Sequence, residues 1–446
     1  MAASGISPHR TERDRMAKAV RRLLTNEAIA AKRFEIGSLF TPSTPVTTRE
    51  LFAGRSKQME RMLDAIAETG RHVILYGERG VGKTSLAKIV PLLVPDAGRR
   101  LRYVRVQAFP HDNFSSVARQ VFKKIRFPAD IGEGEQIYSV EETYARTDEV
   151  TPADFVREMS LFSAAEIPVV VIDEFNEIRD EAARLSVANT IKALSDEGIN
   201  ATLVIVGVAD NVSGIIKEHE SIQRCTEQIP MPRMDKKELK DVLDVRLKQL
   251  DYSIEGDATW KIINLAKGLP QYVHSLGKHA CLASLSDGGR LHITETDVDR
   301  AIDDLLKSTE RSLQDEYEKA TRSNQPGTLL KQALTACALA KSDEGGYFTP
   351  TAVREPYSAI LGRPVEIANF QNHLKAFVSP ERGEILQRQG EPRAYRFRFT
   401  KPAMQPYVLM RGLREGMLDE SAKRVLSYPE EPDLFGDALE RPSEQS

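Results

Sequence analysis

A glycine-rich run that ends in a lysine and two hydroxyl residues carries the clearest chemical signal in the sequence. The run matches the pattern GxxxxGK[ST] in full and consists of Gly77, Glu78, Arg79, Gly80, Val81, Gly82, Lys83, Thr84 and Ser85. Glycines at this spacing let backbone N–H groups turn toward phosphate oxygens, and a helix that starts here adds partial positive charge. We expect Lys83 to reach the β- and γ-phosphates of ATP and the Thr84 hydroxyl to ligate Mg²⁺.

Two adjacent carboxylates follow a second apolar run. Val169–Ile172 leads directly into Asp173 and Glu174, and a buried strand of this kind delivers both acids to the sheet edge where open α/β sheets bind ligands. Asp173 is predicted to hold Mg²⁺ through water. Glu174 is predicted to be the general base that polarises the attacking water. The alternative is that both are solvated acids at a strand end.

Apolar segments that alternate with helical patterns must position these groups. Such runs indicate a parallel sheet covered on both faces, so the predicted fold class is α/β. The five predicted strands are His72–Gly77, Tyr103–Ala108, Val169–Asp173, Thr202–Val208 and Gln228–Pro232.

Composition excludes several other classes of protein. The chain has 446 residues, of which 41% are hydrophobic and 28% charged, with a net charge of −3; this balance is typical of globular domains and not of a basic nucleic-acid coat. Cys225, Cys281 and Cys337 are far apart in sequence, which excludes a disulfide framework and favours a reducing cytoplasm. Apolar runs such as Ile167–Ile172 are far shorter than the ~18 residues of a membrane span.

Five segments are predicted along the chain. They are a charged N-terminal arm (1–50), a nucleotide-binding α/β domain (51–232), a helical lid and connector (233–326), a winged-helix domain (327–415) and an acidic disordered tail (416–446). Within the arm, Thr11–Arg33 has helical spacing and an excess of basic residues, so it is either a DNA-binding arm or a helix that docks on the next domain. Helices followed by strands at about Gly383–Gln389 and Arg393–Phe399 favour the winged helix.

These motifs resemble the AAA+ superfamily, in its origin-recognition or initiator-like branch, which grades into the STAND (signal-transduction) ATPases and the ATPases of transposition systems. The resemblance extends over about residues 35–415. It implies a P-loop NTPase of the AAA+ type with a five-stranded parallel sheet, a helical lid and a C-terminal winged helix. Leu51–Arg55 is similar to the box that precedes the phosphate loop in this family, which implies that Phe52 and Arg55 contact the nucleotide base.

The resemblance also implies two residues that respond to the γ-phosphate. The end of the fourth strand carries the polar sensor 1 in this family, and either Asp210 or Asn211 fills that position. An amide can donate a hydrogen bond to a γ-phosphate, which favours Asn211. Arg224 lies where the family places the arginine finger that reaches a neighbour's ATP; the alternative is a surface or intradomain salt bridge, and Arg233 is the second candidate.

A lid motif departs from the initiator pattern. Gly268-Leu269-Pro270-Gln271 is similar to the Gly-x-Pro motif of the family, so Pro270 and Gln271 are implied to line the nucleotide site. Initiator-like members often carry a sensor-2 arginine after this proline, whereas this chain has Gln271. The departure weakens the case for strong intrinsic hydrolysis and favours the STAND proteins.

The combined prediction is an ATPase whose nucleotide drives self-association through an ATP-bridged interface. A winged helix after such a lid commonly binds DNA in the initiator branch, which implies that Asn369–Phe377 and four arginines contact double-stranded DNA, namely Arg388, Arg393, Arg396 and Arg398. The alternative is a STAND-like signalling or defence ATPase whose winged helix binds a protein partner.

Overall fold

The structure, a computed structural model, describes residues 26–46, 48–94, 100–130, 135–208, 220–323, 327–343, 345–391 and 394–418. The chain divides between Ile302 and Asp303 into two compact units; the boundary falls inside the helix Glu295–Ser308, which is given below with the first unit. The predicted sensor-1 residues Asp210 and Asn211, the wing residue Arg393, and most of the predicted acidic tail lie outside the described residues.

The first unit alternates helices and strands, as the apolar runs predict. Its elements are α1 (Asn26–Leu39), α2 (Ser56–Ala67), β1 (His72–Tyr76), α3 (Lys83–Leu93), β2 (Arg100–Gln107), α4 (Phe114–Lys124), β3 (Arg126–Asp130), β4 (Glu135–Ser139), α5 (Val140–Thr143), α6 (Pro152–Ser160), β5 (Glu166–Asp173), α7 (Glu181–Asp196), β6 (Thr202–Gly207), α8 (Glu220–Gln223), β7 (Thr226–Pro230), α9 (Lys236–Gln249), β8 (Ser253–Ile254), α10 (Gly256–Ala266), α11 (Pro270–Ser286), β9 (His292–Ile293) and α12 (Glu295–Ser308). We call α9, α10 and α11 the lid.

Five parallel strands form the central sheet in the order β2-β5-β6-β1-β7. All five predicted strands are present, and the predicted α/β fold with a five-stranded parallel sheet is confirmed. The phosphate loop follows β1 and the two adjacent carboxylates stand at the end of β5, so both motifs lie at the carboxyl-terminal edge of the sheet. Such an edge is where open α/β sheets bind ligands.

Side-chain alternation along the strands gives the sheet two cores. Val73 and Leu75 pack with α2 and α3 on one face, whereas Ile74 packs with α4, α6 and α7 on the other. Successive residues of a strand point to opposite faces, and each fully buried aliphatic side chain stabilises the fold by about 1.5–3 kcal/mol. The helices that carry the phosphate loop and flank the carboxylates are thereby fixed against one rigid sheet.

Local capping explains where two of the helices begin. Thr151 caps α6, with its side chain accepting from the Asp154 N–H and Pro152 at the first helical position. The Asp235 side chain caps α9 by accepting from the Glu238 N–H, and the Glu238 carboxylate accepts in turn from the Asp235 N–H. Both helix starts follow the sequence signals.

The described part of the N-terminal arm packs on the lid. Ile36 and Phe40 are fully buried, and the Phe40 ring meets the His274 ring edge to face. A Cβ at Gly277 would lie 2.6 Å from Phe40, so only glycine allows this close approach of α1 and α11. The helix runs to Leu39, beyond the predicted end, and the arm residues before residue 26 lie outside the described part of the chain. The choice between a DNA-binding arm and a docking helix for Thr11–Arg33 stays open, because most of that segment lies outside the described residues.

The second unit contains helices followed by an antiparallel hairpin. Its elements are α13 (Arg311–Thr321), α14 (Leu330–Leu339), α15 (Pro350–Leu361), α16 (Ile367–Phe377), β10 (Leu386–Gln389), β11 (Arg396–Phe399) and α17 (Met404–Arg414). Phe397 and Phe399 are buried on one side of β11, whereas Arg396 is exposed on the other. This alternation matches the predicted hairpin, while α17 and the β3–β4 hairpin were not predicted.

Candidate functional site

The phosphate loop has the backbone that close contact with phosphate requires. Gly80 and Gly82 adopt φ angles of 87° and 98°, in the left-handed region that favours glycine. A Cβ at Gly77 would lie 2.3 Å from the Met231 carbonyl oxygen, so a side chain there is excluded by the chain that follows β7. The loop therefore presents bare backbone at the start of α3, as an anion site needs.

Lys83 is the first residue of α3 and its ammonium group turns back over the loop. Its Nζ donates to the carbonyl oxygens of Gly77 at 2.8 Å and Glu78 at 2.7 Å. Burial lowers the pKa of Lys83 to about 8, and the nearby carboxylates of Glu174 and Asp173 act in the opposite direction. An ammonium in a partly desolvated pocket gains more from a phosphate than one in water does.

Two arginines, Arg233 and Arg55, bind to residues of the phosphate loop. Glu78 forms a buried ion pair of 2.7 Å with Arg233, which also donates to the Lys267 carbonyl oxygen at the end of α10. Arg55 is 1% exposed and donates to the carbonyl oxygens of Val81 and Pro232. Arg55 lies in the cavity wall with its guanidinium bonded to protein backbone, and Arg233, the second arginine-finger candidate, is committed to this intramolecular pair.

Asp173 and Glu174 differ in how their side chains are engaged. Asp173 is 1% exposed; its Oδ1 accepts from the Glu174 N–H, and its Oδ2 accepts from Arg105 at 2.6 Å. Glu174 has a left-handed φ of 54°, which turns it out of the strand direction into the cavity wall. Among the described residues, none is hydrogen-bonded to the Glu174 carboxylate. One acid is thus fixed, and the other is available to a water molecule.

A cavity of about 630 Å³ opens beside these groups. Its lining unites the phosphate loop and Glu174 with the segment of residues 41–46, which we call the strap, and with residues of the lid. The predicted site residues in the lining are Phe52, Arg55, Arg79, Gly80, Gly82, Lys83, Thr84, Ser85, Glu174, Pro270 and Gln271. This volume is within the range of small-molecule and cofactor sites.

The strap is anchored at both ends of the cavity. The Thr41 N–H donates to His274 Nδ1 in the lid at 3.0 Å, and the Val46 N–H donates to the Ser85 hydroxyl at 3.3 Å. Burial and the nearby Arg246 guanidinium lower the pKa of His274 to about 3, so the ring is neutral and its Nδ1 can accept. Arg246 is fully buried and donates to the carbonyl oxygens of Leu39 and Leu51 on either side of the strap.

The lid contributes Gln271 where the initiator pattern has an arginine. Pro270 is the first residue of α11, and the Gln271 Oε1 lies 3.7 Å from the position a Cβ on Gly80 would take. The side chain is therefore close to the phosphate loop. A neutral amide there supplies hydrogen bonds without the charge of a guanidinium.

Arg224 lies away from this cavity. It precedes β7, whose first residue pairs with His72 at the start of β1, and this places Arg224 at the sheet edge opposite the phosphate loop. Its side chain is 72% exposed and forms a 2.9 Å ion pair with Asp196. The described chain thus contains the intradomain salt bridge given as the alternative, on a side chain that a neighbouring molecule can still reach.

The arginines of the hairpin in the second unit surround two tyrosines. Arg398 lies over the Tyr347 ring at 4.6 Å, and Arg396 lies over the same ring and pairs with Asp343 at 2.9 Å. Arg388 lies over the Tyr395 ring at 4.4 Å. Stacked guanidinium groups of this kind offer both charge and a planar face to a ligand.

Three residues of the site have no motif in the sequence. Arg105, Arg246 and His274 are brought to the cavity or its acids by strand register and by lid packing. The one available signal is the position of Arg105 between Val104 and Val106, because a charge flanked by apolar residues in a strand needs a partner where it is buried.

The sheet is parallel and has the strand order β2-β5-β6-β1-β7. The GxxxxGK[ST] motif follows β1, and the Asp-Glu pair lies at the end of β5. Together these features define a P-loop nucleotide-binding protein. Residues 45–279, just over half of the chain, match the family model described as Novel STAND NTPase 1. The chain belongs to this family of STAND NTPases, and the predicted resemblance to STAND proteins is confirmed.

Solved structures with a similar backbone arrangement match this chain at low sequence identity. The ORC2 protein of Aeropyrum pernix in ADPNP–ADP complexes has a TM-score of 0.49 and 15% identity, covering 87% of this chain and 97% of that chain. The ORC1 protein of the same organism in complex with DNA has a TM-score of 0.46 and 15% identity, with 85% and 97% covered. A Walker-type ATPase of Pyrococcus abyssi has a TM-score of 0.48 and 14% identity, with 83% and 99% covered. Similarity at this level assigns no function.

No curated protein sequence matches the chain. In the described segments, no helix is both long enough and apolar enough to cross a membrane. The same segments contain no cluster of three or more His, Cys, Asp or Glu side chains arranged to hold a metal ion.

Proposed function

We propose that this protein binds ATP with Mg²⁺ and hydrolyses it slowly, as a nucleotide-driven switch. The observation that carries the proposal is the juxtaposition of the phosphate loop, the Glu174 carboxylate, which no described residue engages by a hydrogen bond, and the lid around one cavity. Membership of an NTPase family supports it. Thr84 and Asp173 are the residues that would hold Mg²⁺, which would neutralise phosphate charge when bound.

Different residues of the cavity bind the nucleotide and carry out its hydrolysis. The glycine backbone and Lys83 bind the phosphates, and Glu174 orients and polarises the attacking water. Gln271 in place of an arginine leaves less positive charge near the γ-phosphate, so turnover without a partner is expected to be slow. Closure of the lid over the nucleotide would move the strap, because the strap is hydrogen-bonded to the lid through Thr41 and to α3 through Val46.

Lys83→Ala tests the site assignment. The variant removes a charge-assisted contact with phosphate, and loss of about 1.5–3 kcal/mol corresponds to roughly 10–150-fold weaker ATP binding. Lys88→Ala, on the same helix α3 but outside the cavity lining, is the matched control and should bind as the wild type does. Equal ATP affinity of the Lys83 variant and the wild type, measured by calorimetry, would refute the assignment.

For the biological role we propose association with double-stranded DNA, in a replication-initiator-like or transposition-like ATPase. The support is Arg396 and Arg398, which share one face of the hairpin and stack on Tyr347, and Arg388, which stacks on Tyr395 on the other face. Self-association through an ATP-bridged interface, with Arg224 reaching the neighbour's nucleotide, is part of the same proposal. The exposure of the Arg224 side chain supports it.

A second candidate is a STAND-like signalling or defence ATPase whose second unit binds a protein partner. Two observations favour it: the family match, and the engagement of Arg396 by Asp343 and of Arg398 by Gln387. The Asp343 carboxylate offsets the charge that Arg396 could offer to phosphates, and Gln387 occupies one donor of Arg398 without changing its charge. Affinity for duplex DNA that is independent of these arginines would favour the second candidate.

A further inference from the structure

The Asp173 carboxylate is paired with a cation from its own sheet. Arg105 on β2 donates to Asp173 Oδ2 through Nη2 at 2.6 Å and through Nε at 3.2 Å. Strand register places the two side chains on one face of the sheet, since Arg105 is opposite Val171 and Gln107 is opposite Asp173. This is the face that packs against α3, which begins with Lys83 and Thr84.

Asp173 needs such a partner because its side chain is almost completely removed from water. The carboxylate side chain is 2% exposed, whereas the Arg105 side chain is 24% exposed and can therefore move into solvent. A buried carboxylate without a partner is strongly unfavourable. Lys83 is not bonded to it, because the lysine Nζ is turned to the carbonyl oxygens of Gly77 and Glu78.

We infer that Arg105 is a resident counter-cation that occupies Asp173 until Mg²⁺ takes its place, and that it sets how strongly nucleotide binding depends on Mg²⁺. The inference rests on the proposed function. Phosphates that approach without a metal would be repelled by a bare Asp173, and the guanidinium cancels much of that repulsion. Mg²⁺, in turn, must displace Arg105 to use the carboxylate, which reduces the gain from the metal.

The test is equilibrium binding of a fluorescent ATP analogue to the full-length protein, with Mg²⁺ and with EDTA. The quantity compared is the ratio of the two dissociation constants, metal-free over metal-containing. Arg105→Gln exposes the Asp173 charge to metal-free nucleotide and frees the carboxylate for Mg²⁺. This ratio is therefore expected to rise by about tenfold or more.

Arg102→Gln is the matched control. Arg102 pairs with Glu166 at 2.5 Å between the same two strands but near their other ends, so its loss should leave the ratio unchanged. Arg105→Lys retains a cation and should keep the ratio closer to the wild-type value than Arg105→Gln does. A ratio in Arg105→Gln equal to that in Arg102→Gln would overturn the inference.

Repeating the measurement in the Asp173→Asn variant distinguishes two roles for Arg105, a counter-cation to Asp173 or a direct contact with phosphate. It also provides a test if the Arg105→Gln variant does not fold. In Asp173→Asn the buried charge is gone, so adding Arg105→Gln is expected to change the ratio no further. A further change in that background would mean that Arg105 acts on the nucleotide directly, and the inference fails. If wild type and Lys83→Ala bind the analogue equally, the proposed nucleotide site fails instead, whatever Arg105 does.

Discussion

The Arg79 guanidinium donates to the Glu177 carboxylate at 2.8 Å, which joins the phosphate loop to the turn after Glu174. The Asn176 amide also donates to Glu177, and its carbonyl oxygen accepts from the Val208 N–H at the end of β6. Three segments around the cavity are thus linked by side chains of one short turn. We expect movement of one of these segments on nucleotide binding to affect the other two through these bonds.

Glu177→Gln is expected to speed nucleotide release by about twofold to fivefold. The Arg79 side chain is 66% exposed, and exposed ion pairs contribute at most about 1 kcal/mol. Stopped-flow displacement of a bound fluorescent nucleotide measures the rate. Glu181→Gln removes a more exposed acid that also pairs with an arginine, at the start of α7, and serves as the control; identical release rates in the two variants contradict the predicted link.

Glu174→Gln is expected to bind ATP as the wild type does and to turn it over at least roughly tenfold more slowly, equivalent to about 1.4 kcal/mol in the activation barrier. The amide keeps the shape of the side chain but cannot accept a proton from water. Phosphate release under saturating ATP measures turnover, and calorimetry checks that binding is retained. Wild-type turnover in this variant would remove Glu174 from the role of general base.

Arg224 and Asp196 allow the arginine finger to be distinguished from a salt bridge. Arg224→Ala is expected to reduce turnover by at least about tenfold and to remove its dependence on protein concentration, because the finger acts on a neighbour's ATP. Asp196→Ala breaks the same 2.9 Å ion pair and retains the arginine, so its turnover should be unchanged. If both variants lose the same activity, the pair is structural and the finger assignment is wrong.

Arg396→Gln with Arg398→Gln is expected to weaken duplex DNA binding by at least about tenfold at low salt. Two fewer phosphate contacts should also reduce the slope of log K against log salt by about 1.8. Fluorescence anisotropy over a salt series measures both quantities. Arg354→Gln with Arg363→Gln removes the same charge from α15 and just beyond its end, and it should retain most of the affinity. Equal losses in the two double variants point to bulk charge and not to the hairpin.

His72 makes stability depend on pH. It is fully buried, its Nδ1 accepts from the Leu203 N–H, and burial lowers its pKa to about 4 from an ordinary value of 6.5. Between pH 6.5 and pH 4 the unfolded chain therefore protonates His72 while the folded chain does not. The contribution of His72 to the free energy of unfolding is present in full above pH 6.5 and decreases as the pH falls toward 4. His72 alone should cost about 2 kcal/mol between pH 7.5 and pH 5.

His72→Asn keeps an acceptor for the Leu203 N–H and does not titrate. Urea unfolding of the wild type and of this variant at pH 7.5 and pH 5 gives the comparison. The variant should lose about 2 kcal/mol less than the wild type on acidification. The pKa of His274 is also lowered by burial, so this residue too reduces stability on acidification. Its effect is the same in both proteins and cancels from the difference between them. Parallel losses in the two proteins would contradict the prediction.

The parts of the fold that were predicted are those that short-range patterns determine. The five sheet strands are apolar runs bounded by breaks, and Thr151 and Asp235 cap helices through residues three positions away. The helix α17 was not predicted because Pro402 and Pro406 resemble loop signals. Pro406 lies in the first turn of that helix, where its missing N–H has no partner to lose.

The parts of the site that were not predicted depend on which strands and helices become neighbours. Arg105 meets Asp173 because β2 pairs with β5 in one particular register, and a shift by one residue would turn Arg105 to the other face. His274 meets Thr41 through packing of the lid on the strap. Apart from the position of Arg105 between two valines, pairing and packing of this kind leave no local trace in the sequence.

The bond from Thr41 to His274 also has a consequence for how the protein is made. The two residues are 233 positions apart, so one wall of the pocket leaves the ribosome long before the residue that fixes it. The phosphate loop and its sheet can fold first, whereas the strap can be fixed only once the lid has formed. Joining Thr41 to His274 closes a long loop, and this closure costs conformational entropy. We therefore expect the cavity wall that the strap forms to be completed only after the lid has been synthesised.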